Sequence, residues 1–176
     1  MLAFLTTDAA VTRDALDECL RQAVGQSFNR ISIDGDQSCN DTVLMFANGA
    51  SGVSVEPGSD AWENLKRAAV LVCRELAIAI VRDGEGVTKL VTVKVTGAAC
   101  SDDARKAART ISNSLLVKTA WYGEDPNWGR IIDALGYSGA EMREELADIY
   151  YDDVCAVQNG EGSEVPLETL AKVLRQ

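Results

Sequence analysis

The segment from Asp60 to about Ile80 constrains this chain most. Trp62, Leu65, Ala69, Val72, Cys73, Leu76 and Ile80 recur at helical spacing, and Asp60 and Glu63 form a start resembling a capping box. A helix this long with one apolar stripe needs a surface to bury it. Flanking segments offer one: Thr42–Ala47 is apolar and closed by Asn48-Gly49, and Val87–Thr96 alternates, with Val91, Val93 and Val95 on one face. Helix laid on sheet is therefore the expected architecture, an α+β or α/β layered fold.

The remaining segments fill in a β-α-β-β-α-β-α-β order. Met1–Leu5 reads as a short strand, and Thr12 caps a helix to about Val24 with Ala15, Leu16, Cys19, Leu20, Ala23 and Val24 on one face. Arg30–Ile33 reads as a strand, Ser101 as the cap of a helix carrying Ala104, Ala107, Ala108 and Ile111, and Leu115–Ala120 as a strand. GEDPNWG is a loop entering a short helix stopped by Gly136, and Glu141–Leu146 adds a helical turn. Ile149–Val157 is a strand or hairpin, and Pro166 opens a last helix that runs out at Gln176. A length of 176 residues fits one domain, 1–176. The abrupt ends are those of a piece of something longer.

Charge and residue usage exclude several functions. A net charge of −10 leaves no basic surface for a phosphate backbone, so nucleic acid is not an expected partner. Ala68–Val81 is interrupted by Arg74 and Glu75, so no segment is read as spanning a membrane, and MLAFL is too short for a secretory core. Five cysteines without a C-x-x-C pair read as reduced thiols, which places the protein in the cytoplasm. There is no histidine. That removes Ser-His-Asp and Cys-His catalysis and, with the cysteine spacing, leaves zinc without ligands; any nucleophile needs another base.

Three loops carry polar chemistry. In Asp34–Thr42 (DGDQSCNDT) a calcium loop fails at two diagnostic places, because position six is Cys39 and position twelve is Met45 where glycine and glutamate are needed. Asp34, Asn40 and Asp41 are read as making local turn hydrogen bonds. Glu85, between Gly84 and Gly86, is either a solvated loop acid or a carboxylate able to hold an ammonium or amide. In Asp125–Arg130 (DPNWGR), Asn127 suits a helix cap and Trp128 the core. Arg130 binds a carboxylate or pairs with Asp125 or Asp133. Cys39 and Cys100 have no cation nearby to activate them and are read as small buried residues.

Four segments, MLAFLTTDA, SFNRISIDGDQSCNDTVLMFANG, RDGEGVTK and KTAWYGEDPNWGRIIDALGYSG, together resemble the ornithine acetyltransferases (glutamate N-acetyltransferases) of arginine biosynthesis. The resemblance implies part of an αββα four-layer sandwich, and a precursor that cleaves itself before a threonine. That threonine, using its own α-amine as base, takes acetyl from N-acetylornithine and passes it to glutamate. It implies no cofactor, with acetyl-CoA as an optional substrate, and an α chain of the same precursor as partner in αβ pairs, as in an α2β2 assembly. In the family MLAFL directly follows the nucleophile. Met1 stands first here and the family's last strands lie beyond this sequence, so no catalytic residue is assigned within it. The chain alone is expected to be inactive and, with apolar surface uncovered, to self-associate. The one family substrate contact that falls inside is Glu85. Rival readings are a non-catalytic remnant or binding domain of the same fold, and a related N-terminal-nucleophile amidase or aminopeptidase.

Overall fold

Alternation makes the first strand. In β1 (Leu2–Thr7) Ala3 and Leu5 are buried while Leu2 and Phe4 face out, and β1 pairs in parallel with β3 (Thr42–Ala47) from Leu2–Thr42 to Thr7–Ala47. The computed structural model describes residues 1–175. The chain forms two compact units, Met1–Val87 and Thr88–Gln176, within the stretch that the sequence reads as one domain. It is an α+β protein.

In the first unit, β2 (Ala10–Val11) pairs in parallel with β4 (Ser54–Val55), and two helices cover the inner face of the β1–β3 sheet. In α1 (Arg13–Gly25) the Thr12 hydroxyl accepts the Ala15 N–H. In α2 (Asp60–Arg82) the cap is Ser59, which accepts the Trp62 N–H at 3.1 Å, so Asp60 and Glu63 lie in the first turn instead of forming the cap. Both helices bury small residues one turn apart: Ala15, Cys19 and Ala23 on α1, and Ala69, Cys73 and Ala77 on α2. Rows at i, i+4, i+8 on facing helices are ridges that can interdigitate, and small side chains let the backbones approach closely. Burial, first, pushes both the Cys19 and Cys73 thiols up in pKa, which keeps them protonated as core residues.

The strand expected at Arg30–Ile33 does not form. Residues Phe28–Arg30 make a 3-10 turn, because Ser27 Oγ donates to the Ala23 carbonyl at 2.7 Å and the Arg30 N–H to the Ser27 carbonyl at 2.8 Å. These local bonds tie the backbone to the end of α1.

Residues around the boundary of the two units carry no regular secondary structure. Val87–Thr96 was expected to be a strand, yet it has no ladder partner among the described residues, although Val93 and Val95 are half-buried. Helices α3 (Ser101–Asn113), α4 (Leu115–Tyr122) and α5 (Trp128–Gly136) follow. Strands β5 (Ile149–Tyr151), β6 (Val154–Gln158) and β7 (Glu161–Gly162) then form an antiparallel sheet in that order, and α6 (Leu167–Leu174) comes last. The run of that helix on to Gln176 ends outside the described residues. The hairpin reading of Ile149–Val157 and the turn before it are present, with a 3-10 turn at Glu144–Leu146.

Two other readings are corrected here. Leu115–Ala120 is helix, not strand: Ser114 Oγ accepts the Val117 N–H, and Val117 and Ala120, three apart, are the buried pair. A short apolar run fits either period, and the cap decides it. The cap of α3 is Cys100, whose sulfur accepts the Asp103 N–H at 3.5 Å, in place of Ser101. Ile149, Tyr151, Ala156, Val157 and Leu170 form the main core of this unit, and Ile111, Val117 and Ala134 a second; Trp121 and Ile131 touch both.

Candidate functional site

Glu85 stands at the tip of a turn that ends α2. The Val87 N–H donates to the Gly84 carbonyl at 3.1 Å and Gly86 has φ +69, the positive value that the third residue of a type II turn requires. A Cβ on Gly84 would meet Val87 Cγ2 at 2.6 Å, so the closeness of the turn also depends on the first glycine. The side chain between them is exposed, and its carboxylate has no hydrogen-bond or ion-pair partner among the described residues. A free acid on a stiff turn can take up an ammonium or amide group without first breaking a bond of its own.

The 34–41 loop behaves largely as expected and then goes further. Asp34 Oδ1 accepts the Asp36 N–H at 2.9 Å, Ser38 Oγ accepts the Asn40 N–H at 3.2 Å, and Asp41 Oδ2 accepts the Ser38 N–H at 3.2 Å. The second oxygen, Asp41 Oδ1, accepts from the free α-ammonium of Met1, the first residue of this sequence, 2.6 Å away. That hydrogen bond, and next the one from the Ser38 N–H, holds the Asp41 carboxyl below the usual carboxylate range. No sequence pattern indicated the contact, because it joins positions 40 residues apart. The local turn was legible; its long-range use was not.

Cys39 and Cys100, expected to be buried, are both exposed. Cys39 lies in the turn-rich loop, its thiol 3.7 Å from Asn40 Oδ1, and Cys100 is the helix cap described above. Neither position faces a core.

DPNWGR is built as a brace. Asn127 Oδ1 accepts the Arg130 N–H at 3.3 Å, and its amide donates to Asp125 Oδ2 at 3.0 Å. Arg130 pairs with neither Asp125 nor Asp133. Its Nη1 donates to the Leu116 carbonyl at 2.8 Å and to Thr119 Oγ1 at 3.2 Å, tying α5 to α4. The Trp128 ring packs on the main core of the unit and so closely over Gly162 that a Cβ there would lie 3.0 Å from Cζ2.

Two shallow grooves mark the first unit. One runs along the end of α2 between Glu75, Ile78, Ala79, Arg82 and Asp83; the other lies where β1 and β3 end, against Ala10, Thr12, Asn48, Gly49 and Glu56. Neither includes Glu85 or Asp41, and both are open to solvent. Among the described residues no helix is long and apolar enough to cross a membrane.

Comparison with known proteins covers the whole chain. A sequence model of the ArgJ family matches residues 1–176. Glutamate N-acetyltransferase of Methanocaldococcus jannaschii is 51% identical over 164 residues, which are 91% of this chain and 40% of that protein. The arginine biosynthesis bifunctional protein ArgJ of Symbiobacterium thermophilum is 49% identical over 177 residues, all of this chain and 44% of that protein. A crystal structure of arginine biosynthesis bifunctional protein argJ from Bacillus halodurans superposes with a TM-score of 0.95 at 42% identity, covering 100% of this chain and 83% of that one. The chain thus spans less than half the length of these curated relatives.

Proposed function

The chain belongs to the ArgJ family, and from that premise we propose that it forms the β-chain portion of an enzyme that moves the acetyl group of N-acetylornithine to glutamate in arginine biosynthesis. The observation that carries this is the agreement along the full chain with relatives named for that activity, at about half identity. The residues are consistent with it. A sequence without histidine suits transfer through an acetyl-threonine whose own α-amine is the base. In this reading the threonine directly precedes Met1, and Glu85, the unspent carboxylate on its turn, holds the amino-acid part of the substrate.

The partner in this reading is the α chain of the same precursor. Parallel sheets are ordinarily covered on both faces, yet Leu2 is 68%, Phe4 60% and Phe46 52% exposed on the outer face of β1–β3. That apolar face fits the second sheet of an αββα sandwich. Five free cysteines fit a reducing compartment, the cytoplasm.

The test is transfer by the full-length, self-cleaved protein. N-acetylornithine and glutamate are expected to yield N-acetylglutamate, with an acetylated threonine trapped when glutamate is withheld. No product and no acetyl-enzyme would overturn the assignment and favour a binding domain of the same fold.

A further inference from the structure

Helix α2 has two faces, and the first unit uses one of them. Trp62, Ala69, Cys73 and Ala77 are buried in the core, whereas Leu71, about half a turn from Cys73, is 60% exposed. The outer face is centred on Leu71, Arg74, Glu75 and Ile78, which share one side of the helix at i, i+3, i+4 and i+7. Arg74 and Glu75 are exposed and, among the described residues, have no hydrogen bond or ion pair. As adjacent residues they do not face each other, and the positions three and four away from each are all apolar. The helix therefore carries one cation and one anion, side by side in an apolar surround, with nothing in the fold to pair them.

We propose that this face is the contact between two copies of the chain, with α2 of one crossing α2 of the other, antiparallel, about a two-fold axis between Arg74 and Glu75. Such an axis brings together positions that are symmetric about it. Arg74 of each copy meets Glu75 of the other, and Leu71 of each meets Ile78 of the other. Cation then faces anion and apolar faces apolar at every pair. Parallel helices would set Arg74 against Arg74 and Glu75 against Glu75, and would align the two helix dipoles unfavourably. The shallow groove that Glu75, Ile78 and Ala79 line at the end of α2 offers a seat for Leu71 of the second copy, one ridge entering one groove. The apolar neighbours Leu71 and Ile78 exclude water from the two ion pairs, which makes them less sensitive to salt than isolated surface pairs. The face points away from the β1–β3 sheet, so the contact depends neither on the acetyl-transfer reading nor on what covers the sheet's outer side.

The test is charge reversal in the full-length protein, read by sedimentation over a dilution series. The unsubstituted protein is expected to hold two copies of this chain per particle. Arg74→Glu and Glu75→Arg should each weaken that association by about tenfold or more, because every charge pair across the axis becomes a like pair. Mixed in equal amounts, the two variants should associate again at close to the original strength, since each charge then meets its opposite. The double reversal in one chain should do the same. Only a face that meets its own copy predicts both rescues. Neither side chain has a bond to lose in the fold, so the thermal midpoint of each variant should stay in place. Should a reversal fail to fold, Leu71→Ala decides: it takes an exposed side chain from the face, and association about tenfold weaker supports the contact while unchanged association overturns it. One copy per particle in the unsubstituted protein also overturns the proposal, as does association indifferent to the reversals. Weakening without rescue in the mixture overturns it too, and assigns the face to a different chain.

Discussion

The turn around Glu85 and the turn around Asn127 look alike in sequence, each a short polar stretch joining one element to the next, and they spend their side chains differently. In Asp125–Arg130 the aspartate, asparagine and arginine bond to neighbours within the unit, and the tryptophan fills its core. Around Glu85 the backbone does the structural work through two glycines, and the carboxylate is left without a partner among the described residues. A group already bonded must lose those bonds to serve a ligand; a free group on a stiff turn does not. The contrast separates scaffold from candidate site where residue type alone does not.

Trp128→Ala tests the scaffold side with the largest expected effect. The ring contacts the main core of the second unit and covers Gly162, so its removal should cost about 3 kcal/mol. Denaturant unfolding measures this directly. A loss below about 1 kcal/mol would mean that the loop is not the brace described.

Glu85→Gln tests the other side and should divide stability from activity. No bond within the described fold is lost, so the midpoint of thermal unfolding should stay where it is. In the full-length enzyme kcat/KM should fall by about 30-fold, the equivalent of about 2 kcal/mol for a lost charge-assisted contact. Unchanged kinetics would return Glu85 to the role of a solvated acid.

The difference between the two turns explains what the sequence could disclose. Caps, amphipathic faces and hairpins depend on neighbours, so the Thr12 cap, the Ala15–Cys19–Ala23 face and the Ile149–Val157 hairpin could all be read in advance. Leu115–Ala120 was misread because six residues fit both periods, and Arg30–Ile33 because Ser27 and Arg30 bond back along the chain. Val87–Thr96 shows the opposite limit: its alternation is real, but among the described residues no strand pairs with it. At the candidate site, Glu85 was singled out by its flanking glycines and the family resemblance, and its contact with substrate is what Glu85→Gln tests. Asp41 was legible only as a turn former, since its bond to Met1 depends on the register of β1 against β3.

A smaller effect is expected from Asn127→Ala. It removes a cap that accepts the Arg130 N–H and should cost about 1 kcal/mol, with little change in kcat/KM. An activity loss exceeding the stability loss would place this loop in the site after all, erasing the contrast with Glu85.

The smallest effect belongs to Tyr151, the one buried side-chain polar atom without a partner among the described residues. Burial first, and then the Asp125 charge, push its pKa up to about 12. The protonated form is therefore favoured in the fold. Its contribution to stability is complete below the unfolded value near 10 and is lost as pH rises towards 12. Tyr151→Phe removes a hydroxyl that has no bond to lose, so stability at neutral pH should be unchanged or up to about 1 kcal/mol higher. The same variant should show a shallower loss of stability between about pH 10 and pH 12 than the unsubstituted chain. A clear destabilisation at neutral pH would mean that the hydroxyl is bonded, by water or by Asp125. The DPNWGR turn would then contribute through a polar link to β5 as well as through the packing of Trp128.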